Sequence, residues 1–171
     1  MSLLEIARAV EERKLPPITR WNPVESADSH MRIAADGTWY HEGRPITRVA
    51  MVRAFASLLV RDEAGQHWMV TPDCRQSVEV EDAAFVAVEM QARDETLVFR
   101  LNTDELVLAG PENPLRLAGD VDTPAPYLAV RHGCEARLDR STWLQLADHA
   151  LATGDGRSVT SRGASFPLIP R

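Results

Sequence analysis

The sequence predicts an α+β fold written twice: two lobes of antiparallel sheet, each with one packed helix. Two observations carry this. First, residues 38–60 (TWYHEGRPITRVAMVRAFASLLV) and 128–151 (LAVRHGCEARLDRSTWLQLADHAL) share an order of short strand, tight Gly-containing turn beside a His, second strand, polar break and amphipathic helix. Setting Ile46 on Leu138 also sets Arg48 on Arg140, Met51 on Trp143, Val52 on Leu144 and Leu59 on Leu151. Second, outside the few helix-period stripes, the apolar runs are short and bounded by Gly, Pro and Asp turns, the pattern of strands joined as hairpins.

The elements follow in chain order. Ser2 and Glu5 have capping-box spacing, and Leu3, Ile6, Ala7 and Val10 form an apolar stripe on a first helix. Pro16 and Pro17 stop that helix. It packs either on the body or on a partner. Met31 and Ile33 alternate with polar neighbours, Asp36-Gly37 turns the chain, and Trp39–His41 returns it before a second turn at Glu42-Gly43. Thr47 is placed to cap a helix running to about Val60, with Val52, Phe55, Ala56 and Leu59 inward. His67–Thr71 and Gln76–Val80 read as a strand pair. Ala84–Gln91, Thr96–Leu101 and Leu106–Leu108 form a dense central run of strand. Residues 111–126, with four prolines, read as a loop holding one short strand at Leu115–Leu117. Tyr127–Arg131 and Glu135–Leu138 make the second hairpin, Ser141 caps a helix to Ala152 that Gly154 ends, and Val159–Ser161 with Phe166–Leu168 closes the chain. Strands preceding the last helix predict a rolled sheet in the C-terminal lobe, like a pleckstrin-homology domain. The expected boundaries are an N-terminal helix and linker (1–17), an N-terminal lobe (18–82) and a C-terminal lobe (83–171).

Composition narrows the function. A chain of 171 residues, 44% hydrophobic and 26% charged, buries a core without staples. The net charge of −6 argues against duplex nucleic acid. No apolar run is long enough for a membrane helix, and the acidic N-terminus lacks a signal-peptide pattern, so the expected location is cytoplasmic. All basic residues except Lys14 are Arg, the better fork for phosphate or carboxylate. Cys74 and Cys134 are lone cysteines.

Known catalytic and phosphate-loop signatures are absent. The sequence points away from an enzyme, and no cofactor and no metal are expected. Glu79, Glu81 and Asp82 could serve a metal-assisted hydrolase, although alternation along a strand equally gives a wet sheet face. His41 and His132 sit in matching hairpins, and His30, His67 and His149 are scattered. The best ligand clamp is Arg32 and Trp39 beside the Asp36-Gly37 turn, Arg100 and Asn102 at a strand end, and Arg131 in the second hairpin. Arginine forks hold phosphate and a Trp face stacks a base. These five residues are expected to border one ligand site between the lobes.

Five blocks extend the reading: HMRIAADGTWYHEGRPI (30–46), VEVEDAAFVAVE (78–89), LNTDELVLAGPENPLRL (101–117), PYLAVRHGCEARLDR (126–140) and SRGASFPL (161–168). They resemble a bacterial family of uncharacterised proteins, domain of unknown function twelve-eighty-five. The resemblance implies a duplicated two-lobed fold, a nucleotide-type ligand between the lobes and a role in signalling under oxidative stress. It carries over no catalytic residue. The closing motif departs from the family's glycine-rich pattern at Ser161–Phe166. The expected function is thus a cytosolic protein binding a nucleotide-type or other phosphate-bearing ligand. The alternatives are an interaction module, self-associating or docking through the N-terminal helix, and the hydrolase.

Overall fold

The computed structural model describes residues 2–170. The chain forms two compact units. The N-terminal unit is Lys14–Ala84 with Arg131–Cys134; the C-terminal unit is the chain up to Arg13, Phe85–Val130 and the chain from Glu135 onward.

The N-terminal unit holds one six-stranded sheet. Its strands are β1 (Glu25–Ile33), β2 (Trp39–His41), β3 (Arg44–Pro45), β4 (Leu59–Arg61), β5 (His67–Val70) and β6 (Cys74–Val80), in the order β3-β2-β1-β6-β5-β4. Two antiparallel three-stranded meanders lie side by side, joined by a parallel pairing of β1 with β6. Helix α2 (Val49–Ala56) lies between β3 and β4. Ile33, Trp39, Ala56, Leu59, Met69 and Val78 are the most buried apolar residues of these elements, each no more than 4% exposed.

The C-terminal unit repeats the plan. Strands β7 (Phe85–Arg93), β8 (Thr96–Leu101) and β9 (Leu106–Leu108) form one meander; β10 (Leu115–Gly119), β11 (Pro124–Arg131) and β12 (Cys134–Leu138) follow, in the order β10-β11-β12-β7-β8-β9. Read from β9, this is the order of the first sheet strand for strand, again with a parallel central pair, β7 with β12. Helix α3 (Arg140–Thr153) follows β12, and a hairpin of β13 (Ser158–Ser161) and β14 (Ala164–Pro167) closes the chain. Helix α1 (Leu3–Glu12) belongs to this unit and packs on β9.

The duplicated two-lobed α+β fold is thus present, with a corrected correspondence between its halves. Strand order makes β2–β3 the counterpart of β8–β9, so hairpin 38–45 does not match hairpin 127–138. Nor do the helices correspond: α2 follows the third strand of its sheet and α3 the sixth. Local turn chemistry produced the resemblance between hairpins. Glu42-Gly43 and His132-Gly133 are both left-handed pairs, at φ of 50° and 80° and of 49° and 79°, as type I′ turns demand.

Two boundaries shift for physical reasons. Strand β1 begins at Glu25, six residues before Met31; its first four residues are exposed, so their sequence gives no alternation. The expected helix to Val60 stops at Ala56; Leu59 and Val60 pair with Met69 and Trp68, burying Leu59 to 1% exposure. The caps differ too. Arg48 precedes α2 without a side-chain cap, and Asp139 caps α3 by accepting from Thr142 N at 2.8 Å.

Gly119 ends β10 at φ +79°, and a β-carbon there would collide with the Thr123 carbonyl oxygen. Gly119→Ala should therefore cost more than the 1–2 kcal/mol of a left-handed alanine alone. Denaturant unfolding measures the cost; a loss under 1 kcal/mol would mean that the 119–123 turn gives way.

Candidate functional site

The five residues expected to clamp a ligand divide between the units. Arg32, Trp39 and Arg131 belong to the N-terminal unit, Arg100 and Asn102 to the C-terminal one. Each already serves the fold. On β1, Arg32 pairs with Glu81, and its guanidinium lies 4.3 Å from the centre of the Tyr40 ring. Trp39 is 2% exposed and stacks on Phe55 with ring centres 6.2 Å apart. The face expected to meet a base is thus core. Arg100 Nε donates to Glu89 at 3.0 Å and its Nη1 to Asp104 at 3.2 Å. Hydrogen bonds from Gln91 and then Arg100 hold the Glu89 carboxyl below its ordinary range. Asn102 Oδ1 accepts from Val86 N at 3.1 Å, and Asn102 N donates back to Val86 O. Arg131 Nη2 donates to Ala56 O at 3.3 Å, and burial works against its charge.

The other sequence-level candidates separate in the same way. Glu81 lies past the end of β6, where it accepts from Arg32 and from Ala35 N. Glu79 stays on β6 and lines a different hollow. No group of three or more His, Cys, Asp and Glu side chains able to hold a metal occurs among the described residues. With the hairpins unmatched, His41 and His132 lose the relation that paired them. His67 is 7% exposed, and burial lowers its pKa. Burial also pushes the Cys134 thiol up to about 11, so it stays protonated at neutral pH. Ser161, in the departing closing motif, is fully buried: its hydroxyl donates to Ala109 O and accepts from Leu97 N, each at 2.8 Å. Its role is to hold the closing hairpin on β8.

Two open hollows mark the N-terminal unit. One, of about 510 Å³, is framed by β1, β2 and β6, with Asp28, Glu42 and Glu79 against Arg32, His30 and Tyr40. Its carboxylates outnumber its one guanidinium, and Glu81 already neutralises that. The other, of about 620 Å³, lies where β3 leads into α2 and is lined by His41, Glu42, Arg44, Pro45, Ile46, Thr47, Arg48 and Met51. Here the charge is reversed. The guanidiniums of Arg44 and Arg48 have no hydrogen-bond or ion-pair partner among the described residues. Between them Thr47 offers a hydroxyl, and the first-turn N–H groups of α2 lack a side-chain cap.

Sequence reasoning missed Arg44 and Arg48. The signal is faint: neither has an acidic residue three or four positions away, although Glu42 lies two positions before Arg44 and lines the same hollow.

Comparison with known proteins bears on the whole chain. Residues 16–83 match the family model "Domain of unknown function (DUF1285), N-terminal domain", and residues 84–168 match "Protein of unknown function (DUF1285), C-terminal domain". A crystal structure of a DUF1285 family protein from Silicibacter pomeroyi DSS-3 is similar at a TM-score of 0.79 and 39% identity, over 99% of this chain and 95% of that one. One from Shewanella baltica OS155 shares the fold at a TM-score of 0.57 and 21% identity, over 69% of this chain and 90% of that one. No curated protein matches.

Proposed function

The chain belongs to the DUF1285 family, and on that premise we propose that it is a binding protein for a phosphate-bearing small ligand, acting in cytoplasmic signalling. The single observation that supports this reading is the hollow at the start of α2, where two guanidiniums form no ion pair among the described residues and outnumber the one carboxylate of the lining, Glu42. A pair of arginines left open beside uncapped N–H groups favours an anion. A planar guanidinium gives two parallel bonds to a phosphate, and Arg44 and Arg48 flank the hydroxyl of Thr47. The hollow is open, which suits reversible capture of a ligand held by charge at one end.

Titration calorimetry with pyrophosphate and with a nucleoside triphosphate tests this. Binding by either is expected, weakening as salt rises. Arg44→Ala and Arg48→Ala should each lower affinity about 10-fold or more, since a hydrogen bond to a charged group contributes about 1.5–3 kcal/mol. Arg100→Ala, whose guanidinium serves Glu89 and Asp104, should leave affinity unchanged. Absence of binding by both probes, or binding indifferent to Arg44 and Arg48, overturns the reading.

A further inference from the structure

Helix α3 carries an exposed stripe that is complementary to itself. The helix packs inward through Thr142, Leu146 and Ala150, while Gln145 accepts from Met90 N on β7 at 3.0 Å. The opposite side presents Arg140, Leu144, Asp148 and Leu151, spaced to share one face. Leu144 is 50% exposed and Leu151 65%. Arg140 and Asp148 have no hydrogen-bond or ion-pair partner among the described residues. The stripe therefore reads cation, leucine, anion, leucine, with both leucines at least half exposed.

We propose that this face binds a second copy of the chain, α3 against α3 in antiparallel, around a two-fold axis through Leu144. A two-fold contact must set residue i on residue j and j on i. Centred on Leu144, an antiparallel pair sets Arg140 of each copy on Asp148 of the other, because both lie four residues, roughly 6 Å along the axis, from the centre. Two ion pairs then flank a leucine–leucine contact, and both open charges of the stripe are matched at once. A parallel pair would instead set Arg140 on Arg140 and Asp148 on Asp148, so charge selects the antiparallel arrangement. Two helices bury far less than the about 1,200–2,000 Å² of a standard stable interface, so the dimer is transient and forms with rising concentration.

Sedimentation velocity over a concentration series reads the association, with circular dichroism to verify folding. The wild-type protein should move from monomer towards dimer. Arg140→Glu should shift the midpoint at least about 10-fold towards higher concentration, and Asp148→Arg likewise, since each sets like charges together at two symmetric places. Arg140→Glu with Asp148→Arg should restore association. Glu at position 140 lies in the first helical turn, where a negative charge favours the helix, so the loss is not a folding defect. Leu144→Asp should abolish the dimer. A wild-type chain that stays monomeric at its highest soluble concentration overturns the proposal. So does a charge swap that fails to restore what the single changes removed, which would place the contact in another register. Association that survives Leu144→Asp overturns it too.

Discussion

Trp39→Ala should destabilise the N-terminal unit by about 3–5 kcal/mol, the range for truncating a large buried aromatic. Trp39 is 2% exposed and stacks on Phe55, and it opens β2 opposite Ile33, itself fully buried. Removal leaves a cavity where Trp39 meets Phe55 of α2. Against a typical total of 5–15 kcal/mol, such a loss leaves a detectably unfolded population. Guanidinium unfolding followed by circular dichroism measures it. Fluorescence supplies a second readout: of the four tryptophans, only Trp39 is fully buried, so the shortest-wavelength emission should vanish. A stable Trp39→Ala protein that had lost phosphate binding would return Trp39 to the ligand-facing role its sequence position first implied.

That contrast shows what local sequence carries. Features fixed within a few residues were readable: the Ser2–Glu5 capping box forms as spaced, with Glu5 N donating to Ser2 Oγ at 3.2 Å and Ser2 N to Glu5 Oε2 at 3.0 Å. The turns at Glu42-Gly43 and His132-Gly133 were readable from glycine placement, and β11 and β12 from clean alternation. The two-lobed plan is present, but the hairpin match that suggested it is not the true correspondence between the halves. Its central joints were not readable, because the parallel pairs β1 with β6 and β7 with β12 join distant segments that no turn signal connects.

The candidate site was less readable for a related reason. An arginine's use depends on which carboxylate the fold brings to it. Glu81 reaches Arg32 from 49 positions away, and Glu89 reaches Arg100 across a hairpin. Arg44 and Arg48 are among the arginines to which the fold delivers no such partner. The hydrophobic pattern could place Trp39 on a strand but not decide which face the sheet would bury.

The same dependence on distant partners gives the second large effect, at helix α1. Ile6→Ala should cost about 2–4 kcal/mol. Ile6 is 4% exposed and packs on Val98 and Leu108, with Leu3, Ala7 and Leu106 around it. A second attachment lies just past the helix, where Arg13 pairs with the buried carboxylate of Glu105. Arg13→Ala should cost about 1–3 kcal/mol, the range for leaving a buried polar group without its partner. The total should fall short of the sum. Once α1 releases, water reaches Glu105 and the charge is no longer penalised, so the second change finds little left to break. Deleting the chain up to Arg13 should then match the double substitution within about 0.5 kcal/mol. Unfolding midpoints of the four proteins measure this directly. Strict additivity would mean that the two attachments act independently and that α1 frays rather than detaches. A deletion without effect on stability would return α1 to the alternative the sequence left open, a helix held in reserve for a partner.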